Sequence, residues 1–130
     1  WTAPTKGVIQ EYLDFRDKYN VPVYCGETGE NSDQWIDSFR TTLEANSIGW
    51  HYWPYKKLES ASAVVQIKKP VYYDEIIRYA EEPKRDFADI RKSRPENIDH
   101  VRQALKEYLV NCRFENCISN KGYIHALGFK

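Results

Sequence analysis

The residues best placed to do chemistry lie in one stretch, Val21-Pro22-Val23-Tyr24-Cys25-Gly26-Glu27-Thr28-Gly29-Glu30-Asn31. An apolar run is cut off by Gly26, and the carboxylate of Glu27 stands between that glycine and Gly29. Glycine lets the backbone turn sharply and lets a ligand come close. The chemistry open to Glu27 is therefore that of a carboxylate brought against a ligand. Glu30, three residues on, falls beside the start of a helix and reads as a structural anion. His51, His100 and His125 form no metal-ligating spacing with the cysteines or with one another.

Two elements must position Glu27. Val21 to Cys25 reads as a buried strand, because β-branched and aromatic residues dominate it. Asn31 or Ser32 reads as the N-cap of a helix over Asp33 to Ala45, with Asn31 and Gln34 spaced as in a capping box. Trp35, Ile36, Phe39 and Leu43 recur at helical spacing, and Asn46 ends the run. A second strand follows, Ile48 to Trp53, stopped by Pro54. Strand, helix and strand together suit a right-handed parallel crossover of roughly 30 residues. The C-terminal ends of both strands, with Glu27 and Trp53, then share one edge, where parallel α/β folds place their chemistry. Alternation puts Ile48, Trp50 and Tyr52 on one face and Gly49, His51 and Trp53 on the other.

The remaining elements are helical. A first helix is expected from about Lys6 to Tyr19, with Val8, Ile9, Tyr12, Leu13 and Tyr19 near one face and Asn20 as its stop. Tyr55 to Lys69 reads as a loop, in which the pair Lys56 and Lys57 is solvated and the apolar run Ala63-Val64-Val65-Gln66-Ile67 forms a brief turn or an extended piece. Val71 to Ala80 is a third helix, with Tyr72 and Ile76 facing inward. Glu81 to Arg94 is charge-rich with a weak helical pattern in Phe87 and Ile90. Pro95 to Asn111 is the clearest helix, opened by proline in its first turn and striped by Ile98, Val101, Leu105, Tyr108 and Leu109. Asn120-Lys121-Gly122 reads as a turn, and Tyr123 to Leu127 as one helical turn closed by Gly128. This tail is expected to pack away from the chemistry.

Composition excludes some classes of partner. Lys+Arg and Asp+Glu are both 19 in 130 residues, so there is no basic footprint for nucleic acid. No membrane span or signal peptide stands out. Aromatic residues make up 15%, which suits a carbohydrate groove as well as a core. Of the three cysteines, Cys25 reads as an apolar filler, while spacing leaves open whether Cys112 and Cys117 pair.

The segment Gly26-Glu27-Thr28-Gly29, followed after a helix by Ile48-Gly49-Trp50-His51-Tyr52-Trp53-Pro54-Tyr55-Lys56-Lys57, resembles the end of the glycoside hydrolase family five enzymes. These cellulase-like (β/α) barrels end their seventh strand in a Gly-Glu-Phe-Gly-like motif and carry a tryptophan at the end of the eighth. Thr28 departs from that motif, where phenylalanine is usual. The similarity reaches Tyr123-Ile124-His125-Ala126-Leu127-Gly128. It implies an α/β fold, the C-terminal fragment of a TIM (β/α) barrel. Parallel strands at about 21–25 and 48–53 would sit among about four or five helices. Residues 1–80 would supply barrel elements and 81–130 a C-terminal helical extension.

A complete barrel needs roughly 250 residues, so the resemblance covers only the last part of one. It further implies retaining hydrolysis of a β-linked polysaccharide, endo-β-1,4-glucanase-like, with no cofactor. Glu27 would be the catalytic nucleophile, favoured as an anion by the helix N-terminus that follows. Trp53 would be a sugar platform and Trp50 a core residue, with Tyr55 and Trp1 beside the cleft. Without the resemblance, both tryptophans would read as core and Trp1 as a frayed terminus. The family's acid/base on the fourth strand, and its histidine and tyrosine on the sixth, have no counterpart here. The expected partners are a polysaccharide or oligosaccharide and a missing N-terminal barrel segment or a second copy. The parent protein would be secreted, periplasmic or at the cell surface. The alternative is a noncatalytic carbohydrate-binding or structural piece that oligomerises, because two parallel strands with open edges invite partners.

Overall fold

The computed structural model describes residues 5–29 and 31–129, and in them the chain is a mixed α/β protein with six α-helices and two small sheets. Helix α1 (Gln10–Tyr19), strand β1 (Tyr24–Cys25), helix α2 (Asp33–Ala45) and strand β2 (Gly49–Trp50) come first. Strands β3 (Lys56–Leu58) and β4 (Val65–Ile67) follow, then helices α3 (Tyr73–Glu81), α4 (Phe87–Ser93) and α5 (Ile98–Asn111). A 3-10 turn (Phe114–Asn116), strand β5 (Ile118–Ser119) and helix α6 (Lys121–Ala126) close the chain. Strands β1 and β2 pair in parallel, and the second sheet has the order β3-β4-β5. The chain forms two compact units, Trp1–Gln66 with Ser119–Lys130, and Ile67–Ile118.

The first unit is built on α2. The Ser32 hydroxyl accepts the Trp35 amide at 3.2 Å, so Ser32 is the cap and the expected Asn31/Gln34 box does not form. Trp35, Ile36 and Leu43 are buried, and Phe39 stacks on Trp35 with ring centres 5.0 Å apart. Toward one end this face meets Tyr123, Ala126 and Leu127 from the α6 segment. Toward the other it meets Ile9 and Leu13 near and within α1, and Ile48 before β2. Phe39 and Trp50 pack against both clusters.

Several boundaries differ from the sequence expectation. The two strands are shorter than 21–25 and 48–53, although Gly29 and Trp53 form one further parallel bridge. α1 starts at Gln10 rather than Lys6. It buries Leu13, with Ile9 just ahead of it, while Val8, Tyr12 and Tyr19 lie in solvent. The loop from Tyr55 to Lys69 contains β3 and β4. The expected four or five helices are six, because the weak pattern at Phe87 is a real helix. Asp86 caps it, its carboxylate accepting the Ala88 and Asp89 amides at 2.8 and 2.9 Å. Lys121 begins α6 where a turn was expected.

The second unit joins α3 to α5. His100 Nδ1 lies 3.0 Å from a Glu75 carboxylate oxygen, and its ring stacks on Tyr72 at 3.7 Å. The Val71 amide donates to Glu107, and Tyr73 stacks on Tyr108. α5 begins at Ile98 behind an Asn97 cap, so Pro95 lies outside the helix. Its inward face also departs from the expected stripe. Ala104 is wholly buried, whereas Ile98, Leu105 and Leu109 are exposed. Cys112 and Cys117 are not joined to each other by a disulfide. The Cys117 thiol donates to the Asn111 and Arg113 carbonyls. Cys112 bonds the Tyr108 side chain instead, which raises the phenol above its ordinary pKa.

Arg40 ties α2 to the tail. Its Nε donates to the Ala126 carbonyl at 3.0 Å, and its other nitrogens meet Asp37 and Glu44 at 2.8 and 2.9 Å. The two carboxylates are about half exposed and contribute little, so the carbonyl contact carries most of the effect. Arg40→Met is expected to lower stability by about 1–2 kcal/mol, read from urea unfolding. An unchanged midpoint would show that α6 stays docked without it.

Candidate functional site

The site is the shared end of β1 and β2. Tyr24 pairs with Gly49 and Cys25 with Trp50, and the His51 amide donates to the Cys25 carbonyl at 3.0 Å. Beyond this the Trp53 amide donates to the Thr28 carbonyl, and Gly29 bridges to Trp53. Between the paired positions, three residues of the first segment, 26–28, oppose two of the second, 51 and 52. The extra residue makes a bulge with Glu27 at its centre. A bulge bends its strand and re-aims a side chain, and it is invisible in a linear pattern. Gly29 absorbs the bend at φ +134, a region that favours glycine.

Side-chain exposure follows the expected alternation. Ile48 is buried and Trp50 and Tyr52 are half-buried, while Gly49, His51 and Trp53 face solvent. Trp50 packs in the core, its indole N–H 3.3 Å from the Glu44 carboxylate. Trp53 is 54% exposed and Tyr55 is also exposed, with the Lys56 ammonium 5.7 Å from the Tyr55 ring centre. Lys56 and Lys57 are half-buried in β3 rather than fully solvated. Glu27 is exposed. The structure thus brings the Glu27 backbone and Trp53 to one edge, where the Trp53 amide bonds the residue that follows Glu27. Trp1 and Glu30 lie outside the described residues.

Two features of the site were not legible in the sequence. Tyr123 in α6 is 1% exposed, and its hydroxyl donates to the Trp53 carbonyl at 3.3 Å. The tail therefore reaches the strand ends, contrary to the expectation that it packs away from them. Thr28 Oγ1 is buried and has no hydrogen-bond partner among the described residues.

No family model, curated protein or solved structure matches the chain. Among the described residues no group of His, Cys, Asp and Glu is arranged to hold a metal ion, and no helix is long and apolar enough to cross a membrane.

A Cβ on Gly29 would lie 1.7 Å from the Trp53 carbonyl oxygen. Gly29→Ala should therefore cost more than about 3 kcal/mol in chemical unfolding. Thr28→Val removes the orphaned hydroxyl while keeping its shape. It should be neutral or stabilise by about 1 kcal/mol; a large loss of stability would mean the hydroxyl has a partner in solution.

Proposed function

We propose that this chain is the C-terminal part of a retaining, cellulase-like glycoside hydrolase with a (β/α) barrel fold, acting on a β-1,4-linked polysaccharide. The observation that carries this reading is the parallel pairing of β1 and β2, which puts Glu27 and Trp53 at one strand edge. The residues then divide the work. The Glu27 carboxylate attacks the anomeric carbon, and the exposed Trp53 indole offers an apolar plane to the sugar's CH face. Tyr55, exposed two residues on, extends that surface. A second carboxylate about 5–5.5 Å from Glu27 must protonate the leaving oxygen, and in this reading it comes from a strand outside the chain. By the same reading, the parent enzyme works outside the cytoplasm, where polysaccharide is met.

One observation favours a second reading, a noncatalytic piece that associates with itself. Strand β1 has a neighbour on one side only among the described residues. An apolar groove of about 350 Å³ opens beside it, lined by Val8, Ile9, Tyr12, Val23, Tyr24 and Cys25 among others. A missing barrel segment or a second copy would fill the same space.

Alone, the chain should turn over no soluble glucan, since an absent general acid costs about 10²–10⁴ in rate. Titration with a β-1,4-gluco-oligosaccharide, followed by NMR, should shift the Trp53 indole resonance. Trp53→Ala should remove that response with little change in unfolding. Trp50→Ala should lower stability by about 3 kcal/mol. Glu27→Gln should leave unfolding unchanged. Normal glycosidase turnover by the pure chain, or no response at Trp53 at millimolar sugar, would overturn the reading.

A further inference from the structure

We infer that Tyr123 is a positioning residue for the candidate cleft: its hydroxyl fixes the Trp53 peptide, and through it the placement of the indole and of the bulge that carries Glu27. This rests on the proposed role of Trp53 as a sugar platform, although the mechanical part stands without it.

The geometry is that of a clasp closed from both sides. The Trp53 amide is given to Thr28 and the Trp53 carbonyl is taken by Tyr123. Both polar groups of one peptide-linked residue are thus fixed, while its indole stays half in water. Gly29 completes the contact, since a Cβ there would meet the Trp53 carbonyl and also stand 2.9 Å from the Tyr123 hydroxyl. Bulge, strand end and tyrosine therefore occupy one small volume with no room for a side chain.

The tyrosine is itself anchored in the core. Its ring is buried with Trp35, Ile36, Ala126 and Leu127, and α6 is held to α2 by Arg40. A phenol in such a core normally finds a partner for its hydroxyl. Here the hydroxyl meets the carbonyl of the exposed aromatic residue itself. Phenylalanine would fill the same core, so the hydroxyl's role lies in what it holds.

The discriminating variant is Tyr123→Phe in the full chain, compared by amide hydrogen exchange. Local loosening should speed exchange at the Trp53 amide by about two- to tenfold, the equivalent of one hydrogen bond. The α2 amides from Phe39 to Leu43 should stay within about twofold, because they report the unit as a whole. Equal acceleration at both places, or none, would overturn the inference: the hydroxyl would then be only part of the core or not engaged. A second arm adds a β-1,4-gluco-oligosaccharide. Affinity at the Trp53 indole should fall about two- to tenfold in Tyr123→Phe. If the exchange difference holds and neither protein responds to sugar, the clasp stands and the glycosidase reading fails. If both respond with equal affinity and exchange is unchanged, the clasp fails and the reading stands.

Discussion

Burial of the α2 face is the constraint on which the first unit depends. Strands two residues long cannot hold themselves in register, because a parallel pair of that length has too few hydrogen bonds and, among the described residues, no second neighbour. Register comes from packing. Trp35, Ile36, Phe39 and Leu43 grip Ile48 and Trp50 on one side and Tyr123 and Leu127 on the other. Once Trp50 is seated, its partner Cys25 is placed, and the chain beyond Cys25 must absorb one extra residue before Gly29 meets Trp53. The exposed carboxylate of Glu27 is a consequence of helix packing on the opposite side of the sheet.

What the sequence made legible follows from which signals agree. At α2 the cap region, apolar period and stop residue coincide, so the helix is found from Asp33 to Ala45 as expected. The alternation through Ile48 to Trp53 was also readable, because a period of two needs only one buried face. α5 misled for a physical reason. A stripe of large apolar residues marked Leu105 and Leu109, yet close packing against α3 selects the small Ala104, and Leu109 is left 71% exposed. The bulge and the Tyr123 contact were out of reach altogether. One depends on how two backbones pair, and the other joins residues 70 apart.

The unit also exposes more apolar surface than its own packing explains. Tyr12, Phe15 and Tyr19 run along α1 at spacings of three and four residues, with Val8 just ahead of the helix, all about half exposed, and Tyr24 on β1 lines one groove with Val8 and Tyr12. Scattered exposed apolar residues are ordinary, but a contiguous helical stripe beside an open strand edge is a surface shaped for a neighbour. A parallel sheet is normally covered on both faces, because the crossover that makes it parallel also supplies a helix. Here α2 covers one face, and Gly49, His51 and Trp53 stay open on the other.

The open face and the open edge bear differently on function. An edge needing a strand is satisfied by any polypeptide that completes the sheet, whatever its chemistry. The open face is more demanding. It presents Trp53, held at both polar groups of its backbone, and the exposed Glu27 belongs to the bulge that pairs beside it. A charged side chain at a rim stays solvated, so it suits a polar ligand and also suits the polar rim of a protein interface. The exposed aromatic and the accessible carboxylate are the two features on which the proposed hydrolase reading rests, and the open edge is the feature on which self-association rests.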